Sequence, residues 1–160
     1  MVGSSEVAQV IEALDAANLQ MLDGSWEGWR DLLSHSDEVT LLGAQGGVIH
    51  GWTEAATRFE RTAAGYGRGG GGIRSSRQNI ATWVGQDLAC LVDIEKHESR
   101  LEGETQPVTF FYRTTHVLRR EEGAWKVVLR HADPLTDFRG PQFAHATATV
   151  SKPLSEETTG

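Results

Sequence analysis

The stretch YRTTHVLRREEGAWKVVLRHADP, Tyr112 to Pro134, reads as two long strands about a tight turn. It is dense in Val, Thr, Tyr and Trp, and no proline interrupts it before Pro134. In REEGAW, Gly123 suits the left-handed position of a three-residue hairpin loop. That loop sets Arg120 opposite Ala124, which puts Thr115 opposite Leu129, Arg113 opposite His131 and Phe111 opposite Asp133. Side chains directly opposite share a face. One face then carries Phe111, Arg113, Thr115 and Val117 against Trp125, Val127, Leu129, His131 and Asp133. The other carries Tyr112, His116, Lys126 and Arg130. The first face starts apolar and ends in an imidazole and a carboxylate, as expected of a cavity with an apolar floor and a polar wall.

The segments upstream extend the pattern. NIATWVG (79–85) and LACLVDIEKHESRL (88–101) are also strand-like. Asp93, Glu95 and His97 share one face of the second, and Cys90, Val92 and Ile94 the other. With Val92 and Ile94 outward, the two acids and the histidine face a pocket. Residues 5–23 read as an amphipathic helix with Val7, Val10, Ile11, Leu14, Ala17, Met21 and Leu22 on its stripe. Ser4 or Ser5 caps it, and Gly24 ends it. A short helix follows at about 26–34. EVTLLG (38–43) and GVIHG (47–51) form a hairpin, and Thr53 caps a third helix with Ala56, Phe59 and Ala63 inward. GYGRGGGGIRSSR (65–77) holds six glycines in its first eight residues, with no preceding strand and no Lys-Ser or Lys-Thr after it. It reads as a mobile loop suited to a lid, and its context rules out a phosphate cradle. The order is helices first and antiparallel strands second, an α+β arrangement.

The chain has 160 residues, enough for one domain with a substantial core. A single domain is expected over 1–138, with a flexible tail at 139–160. A formal net charge of -7 argues against a nucleic-acid partner. No apolar run approaches a membrane span, and no secretory signal is visible. Cys90 is the only cysteine, which fits a reducing, cytoplasmic setting.

The element order resembles the nuclear-transport-factor-2-like superfamily, within it the SnoaL-like and ketosteroid-isomerase-like branch. Asn18, GGVIHGW (46–52), LVDIEKH (91–97) and the 112–134 hairpin carry the resemblance, over roughly residues 6–138. It implies a cone-shaped curved antiparallel sheet wrapped around N-terminal helices, with a small-molecule pocket between them. It also implies a homodimer through the outer sheet face, the face of Tyr112, His116, Lys126 and Arg130. The family's cones host isomerases, dehydratases, polyketide cyclases and proteins without chemistry. Its paired oxyanion donors, a Tyr and a protonated Asp, find no match at corresponding positions here.

Two functions follow as expectations. The first is a cofactor-independent dehydratase or isomerase that moves a proton on an apolar carbonyl or hydroxyl metabolite. His131 is then the general acid or base, Asp133 or Glu95 orients it, and Arg113 holds an anionic group or an oxyanion. The second is a ligand-binding or assembly module without turnover, in which Arg113 and a carboxylate form a structural ion pair. Pocket-lining candidates are Asn18, Trp29, His50, Trp52, Trp83, His97, Thr115 and Phe111. No HxH, HExxH or CxxC motif suggests a metal, and no GxSxG elbow suggests a serine nucleophile.

Overall fold

A computed structural model describes residues 2–44, 46–68 and 70–136. The element order is α1 (Val2–Leu22), α2 (Glu27–Leu32), β1 (Thr40–Leu42), β2 (Val48–His50), α3 (Trp52–Arg68), β3 (Gly71–Val84), β4 (Leu88–Arg100), β5 (Val108–Glu121) and β6 (Ala124–Pro134). The six strands form one sheet in the order β2-β1-β6-β5-β4-β3. The last four strands are an antiparallel succession. β1 joins β6 in parallel, so the sheet is mixed rather than wholly antiparallel. One extra residue interrupts the ladder at Ile73, at Ile80 and at Val128. Such bulges bend and twist a strand, and they help the sheet curl around the helices. The tail expected at 139–160, and the boundary after 138, lie outside the described residues.

α1 buries the stripe read from the sequence: Val7, Leu14, Ala17, Met21 and Leu22 are buried, and Asn18 lies among them. Its apolar spacing of three and four drives this face onto the sheet. Gly24, at φ +93, supplies the left-handed position after the helix. Ser4 and Ser5 are not caps, because the helix begins at Val2. α3 begins at Trp52, so Thr53 lies inside its first turn, and Ala55 rather than Ala56 is buried beside Phe59 and Ala63. Trp29, Leu33, Val39, Leu41, Leu91, Leu118 and Val127 complete the core. Each fully buried Leu or Val contributes about 1.5–3 kcal/mol through removal of apolar area from water.

The described residues of the glycine-rich stretch are mostly helix and strand rather than the expected loop. Residues 65–68 close α3, and Gly71 opens the fourteen-residue strand β3. Small size is needed there. A Cβ on Gly72 would stand 2.5 Å from Leu22 Cβ, and one on Gly24 would stand 2.9 Å from Gly67 Cα. The Gly72 amide also donates to Asp23 Oδ1 at 2.8 Å. The run lets β3 leave α3 and pass tightly against the end of α1.

The 112–134 hairpin departs from the expected register in two places. Its turn holds two residues, Glu122 and Gly123, both at positive φ (49 and 85). Glu121 therefore pairs with Ala124, and Arg120 with Trp125. This twisted turn matches the strand twist better than the expected three-residue loop. The shift of one residue turns Tyr112, Thr114, His116 and Leu118 inward with Trp125 and Val127. The bulge at Val128 then shifts β6 once more, and Arg130 and Ala132 continue the inner face. The face of Tyr112, His116 and Arg130 is thus the interior of the cone, not the outer surface expected to meet a partner.

Candidate functional site

The inner face of β4 carries Asp93, Glu95, His97 and Ser99, every one buried. Parity puts them there: Ala89 and Leu91 precede them on the same face and anchor it in the core. Arg77 comes from β3 opposite Glu95, His116 from β5, and Arg130 from β6. Glu95 is fully buried, and Arg130 Nη2 donates to its Oε2 at 2.9 Å. Arg77 Nη2 stands 3.1 Å from Oε1, and His97 Nε2 3.2 Å from Oε2. Asp93 accepts from Arg77 Nη1 at 2.7 Å and from Asn79 Nδ2 at 2.8 Å. Arg77 Nε reaches on to Asp15 of α1 at 2.8 Å. Two guanidinium groups and two carboxylates thus compensate one another inside the cone.

Burial alone would raise the pKa of Glu95. The charges of Arg130 and Arg77 and the hydrogen bond from His97 outweigh it, and the carboxyl falls well below its ordinary value. Burial likewise opposes ionisation of Asp93, while His116, Asn79 and Arg77 bring its pKa down. His116 goes down chiefly through burial. Arg130 Nη1 lies 2.8 Å from His116 Nε2 and can only donate, so that nitrogen is the acceptor and the proton sits on Nδ1, facing Asp93 3.8 Å away. The ring stacks on Trp29 at 5.9 Å, and the Arg130 guanidinium lies 5.2 Å from the Trp29 ring.

Above this network lies a cavity of about 140 Å³. Leu41, Ile49, Phe59 and Met21 give it apolar walls, and Gly43, Ala44, Gly46 and Gly47 stand at its edge. Its polar groups are Asn18, Arg58, Thr62, Tyr66, His97, Tyr112 and Arg130. Trp29 Nε1 donates to Asn18 Oδ1 at 3.2 Å, which fixes the amide, and Asn18 Nδ2 is left buried without a partner. Burial raises the pKa of both Tyr66 and Tyr112, whose phenols also address one another, and both stay protonated. Both nitrogens of His97 are engaged, Nε2 with Glu95 and Nδ1 with Ser75 Oγ at 3.1 Å. The cavity is rich in donors and, among the described residues, presents no free base.

The residues expected at the site divide sharply. Asn18, Trp29 and His97 line the cavity, and Glu95 lies directly behind His97 and Arg130. His131, Asp133 and Arg113 do form a cluster, with His131 Nε2 3.3 Å and Arg113 Nη2 3.6 Å from Asp133 Oδ2. It stands on the outer face, with the three side chains 45%, 47% and 62% exposed. The hairpin turn and the bulge at Val128 put it there, and its role as acid, base and anion anchor is corrected accordingly. Such an exposed pair adds at most about 1 kcal/mol. Thr115 and Phe111 share that outer face with Arg113, and Trp83 is also outside because the bulge at Ile80 flips the end of β3. His50 is exposed on β2 and meets Thr40 Oγ1 at 2.9 Å. Trp52 stacks on His35 at 3.7 Å, away from the cavity.

Sequence reasoning gave no site role to Arg77, Arg130, His116, Tyr66, Tyr112 or Arg58. The signal was in β4. Asp93 pairs with Thr114 and Glu95 with Tyr112, so inward acids require an inward Tyr112 and Thr114. Among the described residues, no group of three or more His, Cys, Asp or Glu is placed to hold a metal ion, and no helix is long and apolar enough to cross a membrane.

No family profile matches the sequence, and no curated protein matches it. Solved structures do. An NTF2-like superfamily protein from Salmonella enterica superposes with a TM-score of 0.67 at 16% identity, over 85% of this chain and 95% of that one. A provisionally assigned dehydratase of the NTF2-like family from Streptomyces avermitilis gives 0.64 at 20% identity, over 83% and 96%. A ketosteroid isomerase-like protein from Erwinia carotovora gives 0.64 at 12% identity, over 82% and 98%. The curved six-stranded sheet, its helices and these superpositions together show that the chain has the NTF2-like α+β fold.

Proposed function

We propose that the protein binds a small, mostly apolar molecule that presents an oxygen acceptor to the interior of the cone. The buried Asn18 Nδ2, held without a partner at the cavity wall, carries this reading. A core gains nothing from an unpaired amide donor, so a ligand oxygen there would remove a desolvation cost of about 1–3 kcal/mol. Arg130, Tyr66 and Tyr112 add further donors to an otherwise apolar pocket. The buried ion network behind Arg130 fixes its guanidinium before any ligand arrives.

Proton transfer, as in elimination or isomerisation, is the second reading. The two protonated phenols favour it, since they could stabilise an oxyanion, with the His97–Glu95 pair beside them. Binding ranks first because both nitrogens of His97 are already engaged. A homodimer through the outer sheet face belongs to the same proposal. Its apolar contacts would come from Ile80, Trp83, Leu88 and Phe111, all exposed. A cytoplasmic location suits Cys90, a free thiol.

Thermal-shift titration with small ketones, apolar acids and hydroxyacyl thioesters tests the reading. At a hundred times its dissociation constant, a ligand should add about 2.7 kcal/mol of stability. Ile49→Trp, which fills the cavity edge, should abolish the gain. Deuterium incorporation into a bound ketone, lost in Tyr112→Phe, would move the second reading ahead. No stabilisation by any compound would leave an assembly role in its place.

A further inference from the structure

Arg58 is the charge on the cavity wall that the buried network leaves uncompensated. Arg130 is matched by Glu95, and Arg77 by Asp93 and Asp15. Arg58, from the middle of α3, lies within 4.0 Å of no carboxylate among the described residues. Among the described residues, its one side-chain hydrogen bond runs from Nη2 to the Gly46 carbonyl at 3.5 Å. The β1–β2 turn is shaped around it. A Cβ on Gly43 would stand 3.5 Å from Nη2 and 3.1 Å from the Gly46 oxygen. Gly46 and Gly47 hold φ of +95 and +85, which larger residues rarely adopt. The guanidinium is therefore at the cavity wall, half-buried, beside a turn that leaves it room.

A second, independent observation marks another point on the same wall. Asn18 is 6% exposed, its Oδ1 is held by Trp29, and its Nδ2 is unpartnered. An amide N–H asks for a neutral or anionic oxygen; an unpaired guanidinium asks for an anion. Apolar Leu41, Ile49 and Phe59 line the space as well. A volume of about 140 Å³ suits a compact body, close to the ~150 Å³ that admits a benzene-sized guest.

Resting on the binding reading above, we infer that the ligand is a two-ended carboxylic acid. Its carboxylate lies on Arg58 at the glycine turn, and an uncharged carbonyl or hydroxyl oxygen accepts from Asn18 Nδ2. The short apolar chain between them contacts Leu41, Ile49 and Phe59. The chemical class is a short oxo- or hydroxy-acid.

Calorimetric and NMR titration of the full chain with linear oxo-acids of five to seven carbons, and with their methyl esters, tests this. Wild type should bind the acids at least about tenfold more tightly than the esters, the ratio for one charge-assisted contact. Arg58→Gln should bring the acids to the level of the esters, and Arg58→Lys should restore part of the difference. The Asn18 side-chain amide resonance should move with oxo-acids and stay in place with plain alkanoic acids. Acids and esters that bind equally, with no effect of Arg58→Gln, would overturn the inference while the pocket reading stands. Discrimination lost only in Arg130→Gln would overturn it by placing the anion on β6. Binding of neither series would overturn both.

Discussion

Glu95 and His116 show how single residues set the interior. Glu95 is fully buried yet ionised, because Arg130, Arg77 and His97 all address its two oxygens. His116 has the opposite requirement: it must stay neutral to accept from Arg130. The groups facing it are Asp93 and Glu95 of β4, Arg77 of β3, Arg130 of β6 and the Trp29 ring of α2. Its pKa is below that of the unfolded chain, about 6.5. The unfolded state therefore binds a proton that the native state refuses. Stability from this group is full above about pH 6.5 and is lost as pH falls below that value, by up to about 1.4 kcal/mol per pH unit. Glu95 and Asp93, with lowered pKa values, add a second loss that begins only below about pH 4.5. Denaturant unfolding of wild type between about pH 7.5 and about pH 5 should show the first slope. His116→Gln should flatten it. The same slope in both proteins would remove His116 as its cause.

Elements owe their placement to short stretches of special backbone. The Glu122–Gly123 turn decides which face of β5 is inside, and Glu122 holds φ +49 without being Gly, Asn or Asp. That conformation costs a residue with a full side chain about 1 kcal/mol, and Asn tolerates it better. Glu122→Asn should raise stability by about 0.5–1 kcal/mol, read as a higher denaturant midpoint at unchanged m. Glu122 is exposed and outside the ion network, so packing should not mask the effect. A lower midpoint would contradict the two-residue turn.

For the whole molecule, the question is what covers the outer face. Trp83 is 60% exposed, Leu88 55% and Phe111 43%. Trp83 and Leu88 lie toward one end of β4 and Phe111 toward the other, and the proposed homodimer would cover these side chains. If the proposed homodimer forms there, sedimentation equilibrium should give twice the chain mass, and Leu88→Glu should return it to one chain without loss of helical signal. A single-chain mass for wild type at tens of micromolar would remove the dimer from the proposal. The outer face also carries Arg113, His131 and Asp133, so this cluster belongs to that surface and not to the cavity.

The sequence by itself determined the elements and their order. The stripe from Val7 to Leu22 had to be a helix against a core, and the run from Leu88 to Pro134 had to be long paired strands, because local propensity and apolar period agree there. The α+β class followed, and Asn18, Trp29, Glu95 and His97 could be picked out because each depends on the parity of one element alone. The glycine run misled, since a tight passage past Leu22 and a flexible loop ask for the same residue. What only the tertiary structure decided was the side of the sheet taken by β5 and the end of β6. One residue fewer in the turn and one more at Val128 exchange His131, Asp133 and Arg113 for His116, Arg130 and Tyr112. Strand side chains alternate with period two, so a shift of one residue moves every group to the other face. Local sequence holds too little energy difference between two- and three-residue turns to settle this. Burial of Leu118 against Val127 and pairing of Glu95 with Arg130 settle it in the folded chain.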